Sequence, residues 1–254
     1  MKCLPFWKGI MLSAALSFTY LNSHAQAFLD IEGGLVTGTR YNKVRILNQG
    51  GTLFNLAEDL RVQPQLFYRL RAGITLGGRH TITALYAPLT VRYEGAFPRD
   101  VNYNNVIFPS GQPITADYTF NSYRLTYRYH VIDRPRFDLG LGLTAKIRDA
   151  NIALRTENGA LETNYDNVGF VPLINFWLQY KPTDRLSVLL EGDALGAKQG
   201  RAEDVFLGLT YGLTQNLRLK GGYRVVEGGA DVSDVYNMNW INYASVGVVI
   251  GRWK

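Results

Sequence analysis

The residue types that do acid–base or nucleophilic work are few in this chain, and their spacing limits what they could do. There is one cysteine, Cys3, and only His80 and His130 of the three histidines stand in the body of the chain. Each of the two lies beside a tight-turn signal, Gly77-Gly78-Arg79 or Asp133-Arg134-Pro135. A general base needs its partner within hydrogen-bond reach, and polar residues beside turns are the plainer reading of both. Glu191 and Asp193 are two apart, so on a strand they share a face. They could form a paired-carboxylate site or serve as ion-pair partners for basic residues. Asp231, Ser233 and Asp234 lack the ligand spacing and terminal Glu of a calcium loop and read as a solvated loop. No phosphate-binding glycine loop, Cys/His metal cluster or serine elbow is present. The residues therefore predict no catalytic set, no cofactor and no metal.

The elements that would position these groups start after an export leader. Lys2 and Lys8 flank the start of an apolar run, Ile10 to Leu21, and Ala25-Gln26-Ala27 is a small-residue cleavage signal. This pattern predicts a cleaved signal peptide over 1–27 and one domain over 28–254. The apolar run is short for a membrane-spanning helix. Cys3 precedes it, so the mature chain would hold neither a disulfide framework nor a thiol nucleophile. Removing Lys2 and Lys8 lowers the net charge from +6 to about +4, too mild a balance to suggest a nucleic-acid partner. No later apolar run reaches helix-spanning length. A chain of this pattern can enter a membrane only as a closed barrel, because lipid leaves no partner for an open sheet edge.

The mature sequence alternates apolar with polar or small residues in segments of about ten, the pattern of barrel strands. Ten such segments are predicted, near 28–40, 64–76, 80–94, 118–131, 136–149, 168–180, 185–197, 203–213, 217–227 and 239–253. In the third, Leu85, Ala87, Leu89 and Val91 share a face while Ile82 and Tyr86 break the phase, and Pro88 marks a bulge. The expected fold is all-β, an antiparallel transmembrane β-barrel of ten strands, with eight or twelve as alternatives. Tight turns fall at 77–79, 133–135, 182–184 and 214–216. Longer polar connections are expected near 41–63, 95–117, 149–167, 198–202 and 228–238, with 41–56 forming an extended hairpin around Asn48-Gln49-Gly50-Gly51. Short turns at one end and long loops at the other are the arrangement of outer-membrane barrels, whose short-turn end is periplasmic.

Alternation also sorts the charges. Leu, Val, Ile and Ala would face lipid, with Tyr129, Tyr180, Tyr211 and Trp253 near the short-turn interface, a depth that amphipathic rings favour. Glu32, Arg69, Arg71, Arg124, Arg128, Asp138, Lys146, Arg148, Glu191, Asp193, Arg218, Lys220 and Arg224 fall on the other phase, with Asp30. One Arg at the lipid midplane costs roughly 2–4 kcal/mol, so this face must point inward. There it would form either a network of ion pairs plugging the lumen or a basic, anion-preferring channel. Narrow barrels usually fill with side chains.

The mature chain resembles the small single-chain outer-membrane barrels, and more narrowly the uncharacterised bacterial outer-membrane barrel proteins. The segment from Gly222-Tyr223-Arg224 through Tyr236, Trp240 and Tyr243 carries the narrower likeness. The resemblance implies a fold and an outer-membrane location, not an activity. One departure is that Trp253 is followed by Lys254, whereas such barrels usually end on an aromatic residue. Barrel enzymes of the omptin and lipid A-modifying types place their polar residues at the outer rim or outer leaflet, but both histidines here fall at the opposite end. Tyr- and Asn-rich segments at 41–63 and 95–117 suit surface binding or stiffening of the barrel. The reading is a non-enzymatic structural or surface-binding barrel in contact with outer-membrane lipid. The alternatives are a small porin-like anion channel and an envelope-lipid-modifying barrel enzyme.

Overall fold

The structure, a computed structural model, describes residues 25–46 and 50–251. Residues 1–24 of the predicted 1–27 leader, and 252–254 with Trp253 and Lys254, lie outside the described residues. The wall begins with β1 (Gln26–Ile46). The first long connection holds β2 (Phe54–Asn55), the single-turn helix α1 (Leu56–Asp59) and β3 (Arg61–Val62). The wall resumes with β4 (Gln65–Leu76) and a third strand in two pieces, β5 (His80–Ala87) and β6 (Thr90–Ala96). A small hairpin follows, β7 (Val101–Tyr103) and β8 (Val106–Phe108). The remaining wall strands are β9 (Pro113–Arg134), β10 (Phe137–Thr156), β11 (Glu162–Tyr180), β12 (Leu186–Ala197), β13 (Gly200–Gly212), β14 (Leu217–Asp231) and β15 (Val235–Gly251).

Each wall strand pairs antiparallel with its sequence neighbour, and β1 pairs with both β4 and β15, Phe28 lying opposite Gly73 on one side and Gly251 on the other. The sheet therefore closes on itself as a ten-stranded barrel. The break between β5 and β6 falls at Pro88, which has no N–H to give to a ladder. Leu89 takes up the slack by accepting from the Phe120 amide at 2.8 Å.

Three of the expected long loops are corrected by the structure. β10–β11, β12–β13 and β14–β15 are hairpins whose strands continue through most of 149–167, 198–202 and 228–238, leaving connections of only 157–161, 198–199 and 232–234. The sequence suggests loops there because the alternation changes polarity while the backbone does not change direction. Along β9, the outward residues Tyr123, Leu125 and Tyr127 are exposed and the inward ones Arg124, Thr126 and Arg128 are buried. Further up the same strand, Ile114, Ala116 and Tyr118 are buried inward, while Thr115, Asp117 and Thr119 face out. The pairing with β10 runs from Ile114 to Tyr129 without a register shift. β10 changes polarity in the same way, from Leu141 and Leu143 outward to Ile152 and Leu154 inward.

The barrel is thus two solvents' worth of structure on one wall. Nearer the short turns it is apolar outside and charged inside, with Leu66, Leu125, Leu143, Phe170, Leu207 and Val246 among the exposed residues of an encircling belt. Nearer the long loops it is polar outside and apolar inside, as a water-soluble barrel is. On β10 the outward apolar run spans Leu139 to Ile147 and is followed by Asp149 and Asn151. Nine residues at about 3.4 Å each, tilted about 40°, give roughly 23 Å of height, close to the band of about 25 Å that lipid requires. Tyr180 and Tyr211 are exposed at the short-turn edge of the belt, and Tyr129 stands there beside the ring of His80. Leu85, Ala87, Leu89 and Val91 belong to the inner face, not to lipid; Ile82 and Tyr86 are the outward residues of that strand.

Candidate functional site: the filled lumen

The inward charges converge into one network across the membrane-spanning half. Arg224 is the node. It grips Glu32 with two parallel bonds, Nε to Oε1 at 2.7 Å and Nη2 to Oε2 at 2.8 Å, reaches Asp204 at 2.5 Å and touches Glu191 at 3.3 Å. Glu32 also receives Lys220 at 2.8 Å and the Ser245 hydroxyl at 2.5 Å. Glu191 takes Arg71 at 2.7 Å and Lys220 at 2.9 Å, and Asp30 shares the same two cations at 3.2 and 3.1 Å. Asp204 accepts from Arg69 at 2.9 Å and Arg124 at 2.6 Å. Asp193 is held by Arg124 at 2.7 Å, the Thr144 hydroxyl at 2.6 Å and Asn175 at 2.8 Å. The Phe206 ring lies under both Lys220 and Arg224, at 4.7 and 5.2 Å, where the ring face favours cations.

Buried carboxylates are tolerated only when paired and hydrogen-bonded, and every carboxylate of this network has at least two donors. Glu191 and Asp193 are ion-pair partners of basic residues. Glu32 stands opposite Arg69 in the ladder, yet its bonds go the other way round the wall, past Gly247 of β15 to Lys220 and Arg224 of β14, and Arg69 turns to Asp204. Asp204 is the network residue that the sequence analysis missed. Its signal was available, since it shares the phase of Gly208, Thr210 and Gly212 on β13.

The remaining predicted residues sit at the edges of the network. Lys146 is buried with its ammonium 4.5 Å from the Phe120 ring centre. Arg148 is half-buried and bonds Asn167 on β11. Arg218 and Asp138 line the short-turn mouth, where Asp138 Oδ1 and His130 Nδ1 stand 2.6 Å apart in a hydrogen bond. His130 Nε2 lies 3.1 Å from Thr81 Oγ1. Hydroxyl, imidazole and carboxylate stand in the order of an activated-nucleophile relay. Thr81 is only 1% exposed, its hydroxyl also bonds Thr75 at 2.9 Å, and all three groups lie along the short-turn mouth of the lumen. His80 faces outward, its Nδ1 2.9 Å from the Tyr127 hydroxyl. Asp231, Ser233 and Asp234 are exposed around the β14–β15 turn, and among the described residues no group of three or more His, Cys, Asp or Glu is arranged to hold a metal.

Above the network the lumen is filled by apolar side chains. Val91, Tyr93, Ile114, Tyr118, Ile152, Leu154 and Ile241 from the wall meet Phe54, Leu56, Leu60, Phe97, Val101, Tyr103 and Phe108 from the two long connections. These connections interlock. Asn55 caps α1 by accepting from the Ala57 amide at 3.2 Å, receives the Asn42 amide of β1 at 2.8 Å, and gives its own amide to Asp59 at 3.0 Å. The β7–β8 hairpin turns through Asn104 and Asn105, both at positive φ of 48° and 64°, which a two-residue hairpin loop requires and Asn tolerates. Tyr103 donates to the Ile152 carbonyl at 2.9 Å, and its ring meets Phe54 edge-on with centroids 5.6 Å apart. Burial holds the Tyr103 hydroxyl's pKa above its ordinary value.

An antiparallel barrel with a lipid-matched outer belt and its charges inside decides the architecture. The fold is that of the outer-membrane β-barrels. No protein-family model and no curated protein matches the chain. Among solved structures it is similar to the outer membrane protease OmpT of Escherichia coli, with a TM-score of 0.50 and 12% identity, covering 89% of this chain and 96% of that one. It is also similar to the transport unit of the autotransporter AIDA-I of Escherichia coli (TM-score 0.48, 12% identity, 94% and 97% covered) and to Ail, the attachment invasion locus protein of Yersinia pestis (0.39, 9%, 89% and 99%). At such identities the likeness speaks for the fold alone.

Proposed function

We propose that this outer-membrane barrel is a non-conducting, non-enzymatic platform that holds a rigid surface cap for binding. The observation that carries the reading is the apolar core that fills the long-loop half of the lumen. Side chains such as Phe54, Tyr93, Phe108 and Leu154 are buried there to 1% exposure or less, which opposes passage of hydrated ions through that half. The same core stiffens what stands above the membrane. The segments 50–64 and 97–112 lie over the barrel mouth and are pinned to it by buried rings, so their outward Asn, Thr and Arg side chains form a fixed surface. Rigid scaffolds that present polar loops suit recognition. Outer-membrane lipid is the partner of the belt, and a surface ligand would engage the segments 41–63 and 95–117.

The test is conductance of the refolded mature protein in a planar bilayer, with folding checked by heat-modifiable gel mobility. The expected result is silence from a folded barrel. Steady anion-preferring steps that change on replacing Arg124 and Arg128 would overturn the reading in favour of a channel.

A further inference from the structure

Between the ion-pair network and the short-turn mouth lies a chamber of about 140 Å³, reaching to Gly78, Asp133 and Lys181 at the turns. Its lining holds eight Lys or Arg side chains against six Asp or Glu. Most of these cations are committed to the network described above. Arg128 is not. It is 8% exposed, lines the chamber, and has no carboxylate within 4.0 Å among the described residues. The nearby acids are claimed elsewhere: Glu191 by Arg71 and Lys220, Asp193 by Arg124 and Asp138 by His130. The guanidinium instead lies 4.4 Å over the ring of Trp177. Gly140 makes room for its stem, because a Cβ there would stand 2.6 Å from Arg128 Cδ.

A buried cation without an anion is costly, and here the shortfall faces an accessible chamber. Within two of the lining residues, the Arg128 Nε–H and the Trp177 Nε1–H are buried without an acceptor. Phe28, Leu85, Leu189 and Val249 add apolar surface to the same lining. A planar guanidinium fork matches a carboxylate or phosphate, and a concave space lined by apolar surface with a charged group in its wall is the usual form of a small-molecule site.

We propose that this chamber binds a small organic anion, an apolar body bearing a carboxylate or phosphate head, that enters from the short-turn side and pairs with Arg128 against the Trp177 ring. The site is independent of what the surface cap binds, and a silent barrel could still carry it.

The test uses the folded mature barrel in zwitterionic detergent, with benzoate, phenyl phosphate and neutral benzamide as probes, read by calorimetry and by Trp177 fluorescence. Benzoate or phenyl phosphate should bind saturably at one site, with an affinity in the range of about 1 mM or tighter. Whichever binds better identifies the preferred head group, and either supports the site. Benzamide and the Arg128→Gln variant should each weaken binding about thirtyfold or more, the usual consequence of removing one partner of a buried charge pair. Thr83→Phe, which fills the chamber and leaves Arg128 in place, should abolish binding and covers the case in which Arg128→Gln fails to fold. Equal binding of benzamide, unchanged binding in a folded variant, or no saturable anion binding up to about 10 mM would overturn the proposal.

Discussion

Arg224→Met tests whether the lumen network holds the barrel together or merely decorates it. Arg224 makes four contacts to three carboxylates, two of them the parallel bonds to Glu32. Removing one partner of a buried pair costs roughly 3–5 kcal/mol, because the other charge stays buried. The network softens this loss. Glu32 keeps Lys220 and Ser245, Asp204 keeps Arg69 and Arg124, and Glu191 keeps Arg71 and Lys220. The expected cost therefore lies at the low end, about 3 kcal/mol, or roughly a hundredfold in the folding equilibrium. Equilibrium urea unfolding in detergent micelles would measure it. Glu32→Gln in the same background should recover part of the loss, since it removes the charge left uncompensated, with a coupling of about 1–3 kcal/mol between the two sites. A loss below about 1 kcal/mol in Arg224→Met, or strict additivity with Glu32→Gln, would refute the reasoning and mean that water screens the lumen as it does a protein surface.

Leu143, 69% exposed in the middle of the outer belt on β10, should cost roughly 2–4 kcal/mol when replaced by Arg, whereas the same change at Ala153, above the belt on the same strand, should cost about 0–1 kcal/mol; equal costs measured by unfolding in lipid vesicles would place the membrane elsewhere. Phe54→Ala removes a ring packed edge-on against Phe97 and Tyr103 and should cost about 3–5 kcal/mol, read as faster protease cleavage within 97–112 while the wall keeps its heat-modifiable mobility. Burial raises the Tyr103 pKa, so the stability it contributes is complete below its unfolded value of 10.0 and is lost as pH rises toward the folded value. Resistance of the cap to protease should therefore fall above about pH 10, and Tyr103→Phe should flatten that dependence while costing about 1 kcal/mol for the bond to Ile152.

The architecture was largely legible in the sequence, because a membrane wall obeys a period of two with lipid on one side. In segments such as Tyr123 to His130 or Leu139 to Lys146, the inward and outward residues could be told apart without coordinates, and ten such segments predicted ten strands. The turns were legible too, since Gly77-Gly78 and Pro182-Thr183-Asp184 leave few other options. The upper wall was not. From Ile114 to Phe120 and from Ile152 to Leu154 the alternation persists with its sign reversed, because there water lies outside and the core lies inside. A period-two pattern reports which residues share a face but not which solvent that face meets, so the inversion reads as a loop. The partners within the lumen were equally out of reach. Glu32 and Arg224 are 192 residues apart, and only closure of β15 onto β1 brings their strands within reach of each other. Alternation determined that these charges point inward. Which carboxylate each cation grips, and that Arg128 is left facing an open chamber without one, was decided by the curvature of the closed barrel, which sets the distances across it.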